Sequence, residues 1–115
     1  MPHQLQLFAD TFPVKLVKAL PKTPDGKVTD GDYEFDTGIR LVEKLNDDML
    51  CRILWHETGH ALFEHFGLHR IAALEEYEEL ICSTLFQAIP YLLTHNPYLA
   101  PENVNQLRNK ENEKA

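Results

Sequence analysis

No apolar run in this 115-residue sequence approaches the roughly 20 residues a helix needs to cross a bilayer, so a helical membrane span is excluded. Cysteine is scarce. Cys51 and Cys82 have no CxxC spacing, which predicts reduced, buried thiols in place of a disulfide scaffold. Basic residues are outnumbered, 11 Lys+Arg against 18 Asp+Glu, for a formal charge of −7. A phosphate backbone needs a basic patch, so nucleic acid is not an expected partner. The opening string MPHQLQLFADTF lacks the basic start and unbroken apolar stretch of a secretion signal, and a cytoplasmic location is expected. What remains is ordinary for one small globular domain, with 43% hydrophobic and 25% charged residues. Against that background six histidines stand out.

Turn signals crowd residues 1–45: Pro13, Pro21, Pro24-Asp25-Gly26, Asp30-Gly31 and Thr37-Gly38. The β-leaning runs Phe12–Val17, Tyr33–Phe35 and Ile39–Leu45 lie between them, and Gly31–Glu43 reads as a hairpin in a small, mostly antiparallel sheet. Residues 46–67 read as a helix. Asn46 or Asp47 can cap it, Asp47 and Asp48 suit its positive end, and Gly67 can stop it. A second helical stretch is expected over residues 70–95, with an apolar stripe at Ile71, Leu74, Ile81, Leu85, Ala88 or Ile89, and Leu92. Pro90 should kink or end it. The fold class is therefore α+β, a small sheet packed on one helix and a second long helix. Residues 1–97 form a single domain in this reading, and 98–115 a polar, flexible tail.

The string His56-Glu57-Thr58-Gly59-His60 is an H-E-x-x-H motif, which chance produces in roughly 3% of chains of this composition. On a helix, residues i and i+4 share a face, so His56 and His60 can converge on one metal ion. Glu57 lies on the adjoining face, where its carboxylate can accept a proton from water without ligating the metal. Zinc lowers the pKa of bound water to about 7, which is the chemistry of peptide-bond hydrolysis. Gly59 is unfavourable mid-helix by about 1 kcal/mol, which predicts the close approach of a neighbouring strand or of the substrate side of the site.

A catalytic zinc takes three protein ligands and keeps one open position. Glu75, Glu76, Glu78 and Glu79 can supply the third. On a 3.6-residue period Glu78 falls in the middle of the apolar stripe, and Glu75 and Glu79 form an i, i+4 pair on its flank. A core-facing carboxylate is costly unless a cation satisfies it, so periodicity slightly favours Glu78. At least two of the four belong to a solvated helix start.

A hairpin, a metal helix and then an acidic helix ending near a proline resemble the ImmA/IrrE-like zinc metallopeptidases, in particular the small versions carried by phages and prophages. The similar strings are Asp32–Leu41, Ile53–Leu62, Glu79-Leu80-Ile81-Cys82-Ser83, Thr84–Ile89 and His95-Asn96-Pro97, within residues 28–97. The resemblance implies a minimal zincin-like fold, one zinc per chain held by His56, His60 and Glu79, and Glu57 as general base. It departs from the family pattern at Ser83, where Asn or Asp is expected, and at Pro90, which comes about two residues early. Glu79 is the family's choice, with Glu78 and Glu75 left open.

Two functions follow, with a third as their contrast. The leading one is a zinc-dependent metallo-endopeptidase. It would cut a protein substrate such as a phage or prophage regulator in the bacterial or phage-infected cytoplasm. An extended peptide would pair with an edge strand, expected at Ile39–Leu45. The alternative is a non-catalytic, zinc-stabilised protein-binding module on the same scaffold, for which Glu57 is superfluous. The third is a metal-free helical adaptor. His3, His65 and His69 are expected to be bystanders, and His95 is the one that could line the cleft. Trp55 is expected in the core and Cys82 as an inert thiol. Tyr77 and Tyr91 are candidate oxyanion donors.

Overall fold

The computed structural model describes residues 3–108. Four strands come first: β1 (His3–Leu7), β2 (Asp10–Val17), β3 (Gly31–Glu34) and β4 (Gly38–Val42). They form one sheet in the order β1-β2-β4-β3. β1 pairs antiparallel with β2, and β3 with β4, but β2 and β4 run parallel. The class is α+β with a mixed sheet. The hairpin at Gly31–Glu43 is present as β3–β4, and Asp32 and Arg40 face each other across it in a two-pronged ion pair of 3.0 and 2.5 Å. Gly38 sits at φ +81, and a Cβ there would meet the Pro13 carbonyl oxygen and ring, so only glycine lets β4 enter beside β2.

β1 is not among the runs expected from the sequence. The two central residues of the turn that joins it to β2, Phe8 and Ala9, include none of the Gly, Asn or Asp that announces a tight hairpin. Phe8 takes the left-handed conformation instead, at φ +58. Its ring stacks on His65, centroids 5.0 Å apart, and meets Phe66 edge-on, contacts that offset an uncommon backbone state. The strand's register is then fixed by pairing alone, His3 with Val14 through Leu7 with Asp10.

Helix α1 (Asp47–His65) follows the expected span closely. Asn46 caps it, its side chain accepting the Met49 backbone N–H at 2.9 Å, and Asp47 and Asp48 fill the first turn. Gly67 lies just past its end at φ +70. The helix is covered on two sides, by β1, β3 and β4 and by the helices that follow. Four successive residues, His56–Gly59, are therefore buried, although one face of a surface helix would bury only every third or fourth. Leu7, Phe12 and Ala61 form the core beneath it.

The second helical stretch is not continuous. A short 3₁₀ turn (Leu68–Arg70) leads to α2 (Ala72–Glu75), and Tyr77 interrupts before α3 (Glu78–Ile81). A π-helical turn (Cys82–Phe86) and α4 (Gln87–His95) then follow without a break. Pro90 neither ends the helix nor stands alone. The carbonyl its missing N–H would have served belongs to Phe86, the last residue of the widened turn. The extra residue taken up there moves the buried side by one position. Glu78, Ile81, Cys82, Phe86, Ile89 and Leu93 turn inward, whereas Leu85 and Leu92 of the expected stripe are exposed.

The tail expected over residues 98–115 is described as far as Arg108. Pro97–Leu99 and Pro101–Arg108 are 3₁₀-helical, and the remainder of that expectation lies outside the described residues. Among the described residues no helix is long and apolar enough to cross a membrane.

Candidate metal centre

The buried middle of α1 carries the motif. One helical turn sets His56 above His60, and their Nε2 atoms lie 3.2 Å apart. Glu79, in the first turn of α3, closes the group. Its Oε1 is 3.0 Å from His56 Nε2 and its Oε2 2.9 Å from His60 Nε2. A tetrahedral ion with bonds of about 2.05 Å separates its ligand atoms by about 3.3 Å. The donors stand a few tenths of an ångström inside that spacing, and the Glu79 side chain, 70% exposed, is free to swing outward. These three are the group among the described residues able to hold a metal ion. Two imidazoles and one carboxylate are a donor set that suits a divalent transition metal.

The four acidic candidates are separated by position. Glu75 and Glu76 are exposed and take no part in the cluster. Glu78 faces the core as the periodicity suggests, but it reaches the back of His60, with Oε2 2.6 Å from Nδ1. A carboxylate there accepts the Nδ1–H and leaves Nε2 free to face a metal ion. His56 is buried, and burial, followed by the like charge of His60, pulls its pKa down against the opposing pull of Glu79. A neutral imidazole is the form a metal requires.

Glu57 is 7% exposed, and its Oε2 lies 3.9 Å from His56 Nε2. Burial pushes its carboxyl up to about 7. Glu79 and Asp32 add to the rise and His60 opposes it. In the metal-free chain a carboxyl with that pKa exchanges a proton near neutrality.

These groups open on a cleft of about 430 Å³ whose opposite wall is β3 and the residues before it, Thr29–Tyr33. The Val42 N–H donates to the Asp30 carbonyl at 2.9 Å, which fixes the alternation of the β3–β4 ladder. Asp30, Asp32 and Glu34 bond to β4, so Gly31 and Tyr33 turn their N–H and C=O groups to the free edge. β4, expected as the edge strand, is instead interior between β2 and β3. Parallel pairing with β2 puts β4 inside the sheet, and short-range patterning does not encode that pairing.

Other expected residues fall elsewhere. Tyr77 and Tyr91 are exposed and do not line the cleft. Tyr33 does, and its hydroxyl donates to Glu64 Oε1 at 3.2 Å. His95 stacks on Tyr91, ring centroids 4.0 Å apart, in a separate depression shared with Asp48 and Cys51. His65 is paired with Asp10 at 3.2 Å, and His69 contacts the Phe63 carbonyl at 3.5 Å. Half-buried Trp55 lines an apolar groove between the sheet and α1.

Gly59 is approached by neither a strand nor the cleft. A Cβ there would stand 2.8 Å from the Phe86 ring and 2.9 Å from Cys82 Sγ, so the glycine seats α1 against the π turn. Cys82 is fully buried, and burial, with Glu78, Glu79 and Glu57 nearby, pushes its thiol up to about 12. Cys51 is exposed, contrary to the expectation that both thiols are buried. Native protein is therefore expected to react with a thiol reagent at Cys51 alone, and at Cys82 only after unfolding. Mass spectrometry of labelled peptides checks this. Gln87, whose amide nitrogen lies 3.0 Å from His56 Nδ1, is the residue of the site that no sequence signal marks. The chain matches no protein-family model, no curated protein and no solved structure.

Proposed function

We propose that the chain is a zinc-dependent metallo-endopeptidase of minimal zincin type, with the ImmA/IrrE-like peptidases as its family. The observation that carries this reading is the convergence of His56 Nε2, His60 Nε2 and Glu79 on one point, with buried Glu57 beside it. Zinc is the choice among divalent metals because two imidazoles and one carboxylate with an open side form a common catalytic zinc set. A zinc ion held there supplies a Lewis acid that polarises a carbonyl and acidifies water.

The chain's own residues supply the rest. An extended peptide pairs with the free edge of β3 through the outward backbone groups of Gly31 and Tyr33, which aligns its scissile bond along the cleft. Glu57 takes the proton of the attacking water and returns it to the leaving amine. Glu78 holds the His60 ring through Nδ1–H. The substrate is a protein or peptide, with a phage or prophage regulator as the candidate from the family resemblance. The setting proposed is the cytoplasm of a bacterial or phage-infected cell.

Elemental analysis tests the metal directly. Wild-type protein is expected to carry about one zinc per chain, and His60→Ala to carry none. Glu79→Gln should weaken binding strongly, whereas Glu75→Gln should leave it unchanged. A metal-free wild type would end this reading. Full zinc occupancy without cleavage of any extended peptide would favour the non-catalytic binding module.

A further inference from the structure

Gln87 is the first residue of α4, and its side chain meets the back of His56 as Glu78 meets the back of His60. An α-helix turns about 100° per residue, so Glu79 and Gln87, eight residues apart, would sit about 80° apart in a regular helix. The π turn between them absorbs about one residue, which brings the two side chains to within about 20° of one line. Glu79 then reaches the Nε2 side of His56 and Gln87 its Nδ1 side, 3.0 Å for each contact.

An imidazole that coordinates through Nε2 carries its hydrogen on Nδ1, and that hydrogen needs an acceptor. The Gln87 amide here presents Nε2 to the ring. Rotation by 180° about its terminal bond exchanges Nε2 for Oε1 with no other movement. We propose that Gln87 is a positioning residue of the metal centre. Its side-chain carbonyl accepts the His56 Nδ1–H and holds the tautomer whose Nε2 faces the ion, and the π turn Cys82–Phe86 brings it there. This rests on the metal reading above.

The test measures zinc affinity by competition with a chelating dye, together with ¹⁵N shifts of the His56 ring in zinc-loaded protein. Gln87→Leu, which keeps the bulk and removes the acceptor, is expected to weaken zinc binding by about 10- to 100-fold. Gln87→Glu, which is an acceptor only, is expected to restore it. Wild type and Gln87→Glu should both show His56 protonated at Nδ1 and metallated at Nε2. Unchanged affinity in Gln87→Leu would overturn the assignment and leave the metal reading standing. A wild type that binds no zinc would overturn both. The wild-type spectrum decides even where Gln87→Leu fails to fold, since metallation of His56 through Nδ1 overturns the assignment by itself.

Discussion

On the metallopeptidase reading proposed above, Glu57→Gln is expected to retain zinc and to lose hydrolysis by about 10²- to 10⁴-fold, the usual contribution of a positioned general base. The side chain lies on the face of α1 next to the ligand pair and is itself almost wholly buried. The two imidazoles proposed as ligands do not depend on it, because Glu79 and Glu78 hold His56 and His60 from the other helix. Glutamine has nearly the same shape, so packing at this position survives the change. What is lost is the ability to take and return a proton. The measurement pairs zinc content with cleavage of a mixed-sequence quenched-fluorescent peptide library. Cleavage at the wild-type rate in the variant would assign the base elsewhere, and loss of zinc would place Glu57 among the ligands.

Gly59→Ala should be nearly as damaging, through packing. Helix propensity alone favours alanine by about 1 kcal/mol. Against that, the new methyl would press on the Phe86 ring at 2.8 Å and on Cys82 Sγ at 2.9 Å, both held in the π turn. Overpacking a tight contact costs about 1–3 kcal/mol, so the net runs from near zero to about 2 kcal/mol destabilising. The more telling effect is on the site. Pushing the π turn away from α1 carries Glu79 on one side and Gln87 on the other away from His56. The expected result is a lower urea midpoint for metal-free protein and zinc affinity reduced by more than tenfold. Gly59→Ala with Phe86→Leu should recover part of both, since it returns space at the contact. A raised midpoint, as at an exposed helical glycine, would show that the two helices are not closely seated there.

The residues most legible beforehand are those whose neighbours lie close in the chain. Asn46, Asp47 and Gly67 bound α1 within two residues of expectation, because capping and C-terminal turns are settled by backbone groups a few positions away. The pair β3–β4 was equally readable, since its connection is short and its turn contains Thr37-Gly38. Where long-range contacts decide, patterning fails. The Phe8 turn has no sequence mark, and the parallel entry of β4 between β2 and β3 rests on pairing between distant segments. The exposed Leu85 and Leu92 are a failure of a different kind. The π turn displaces the 3.6-residue period of the apolar stripe by one position.

The six histidines divide along the same line. By itself the sequence determined that His56 and His60 share a helix face and that Glu57 adjoins them, because that follows from the 3.6-residue repeat of one helix. It could not choose among Glu75, Glu78 and Glu79, nor point to Gln87. Those assignments depend on how α3, the π turn and α4 lie against α1. A single added residue in the turn rotates everything after it by about 100°. Only the packed structure sets that phase: Glu79 at the front of both imidazoles, Glu78 behind His60 and Gln87 behind His56.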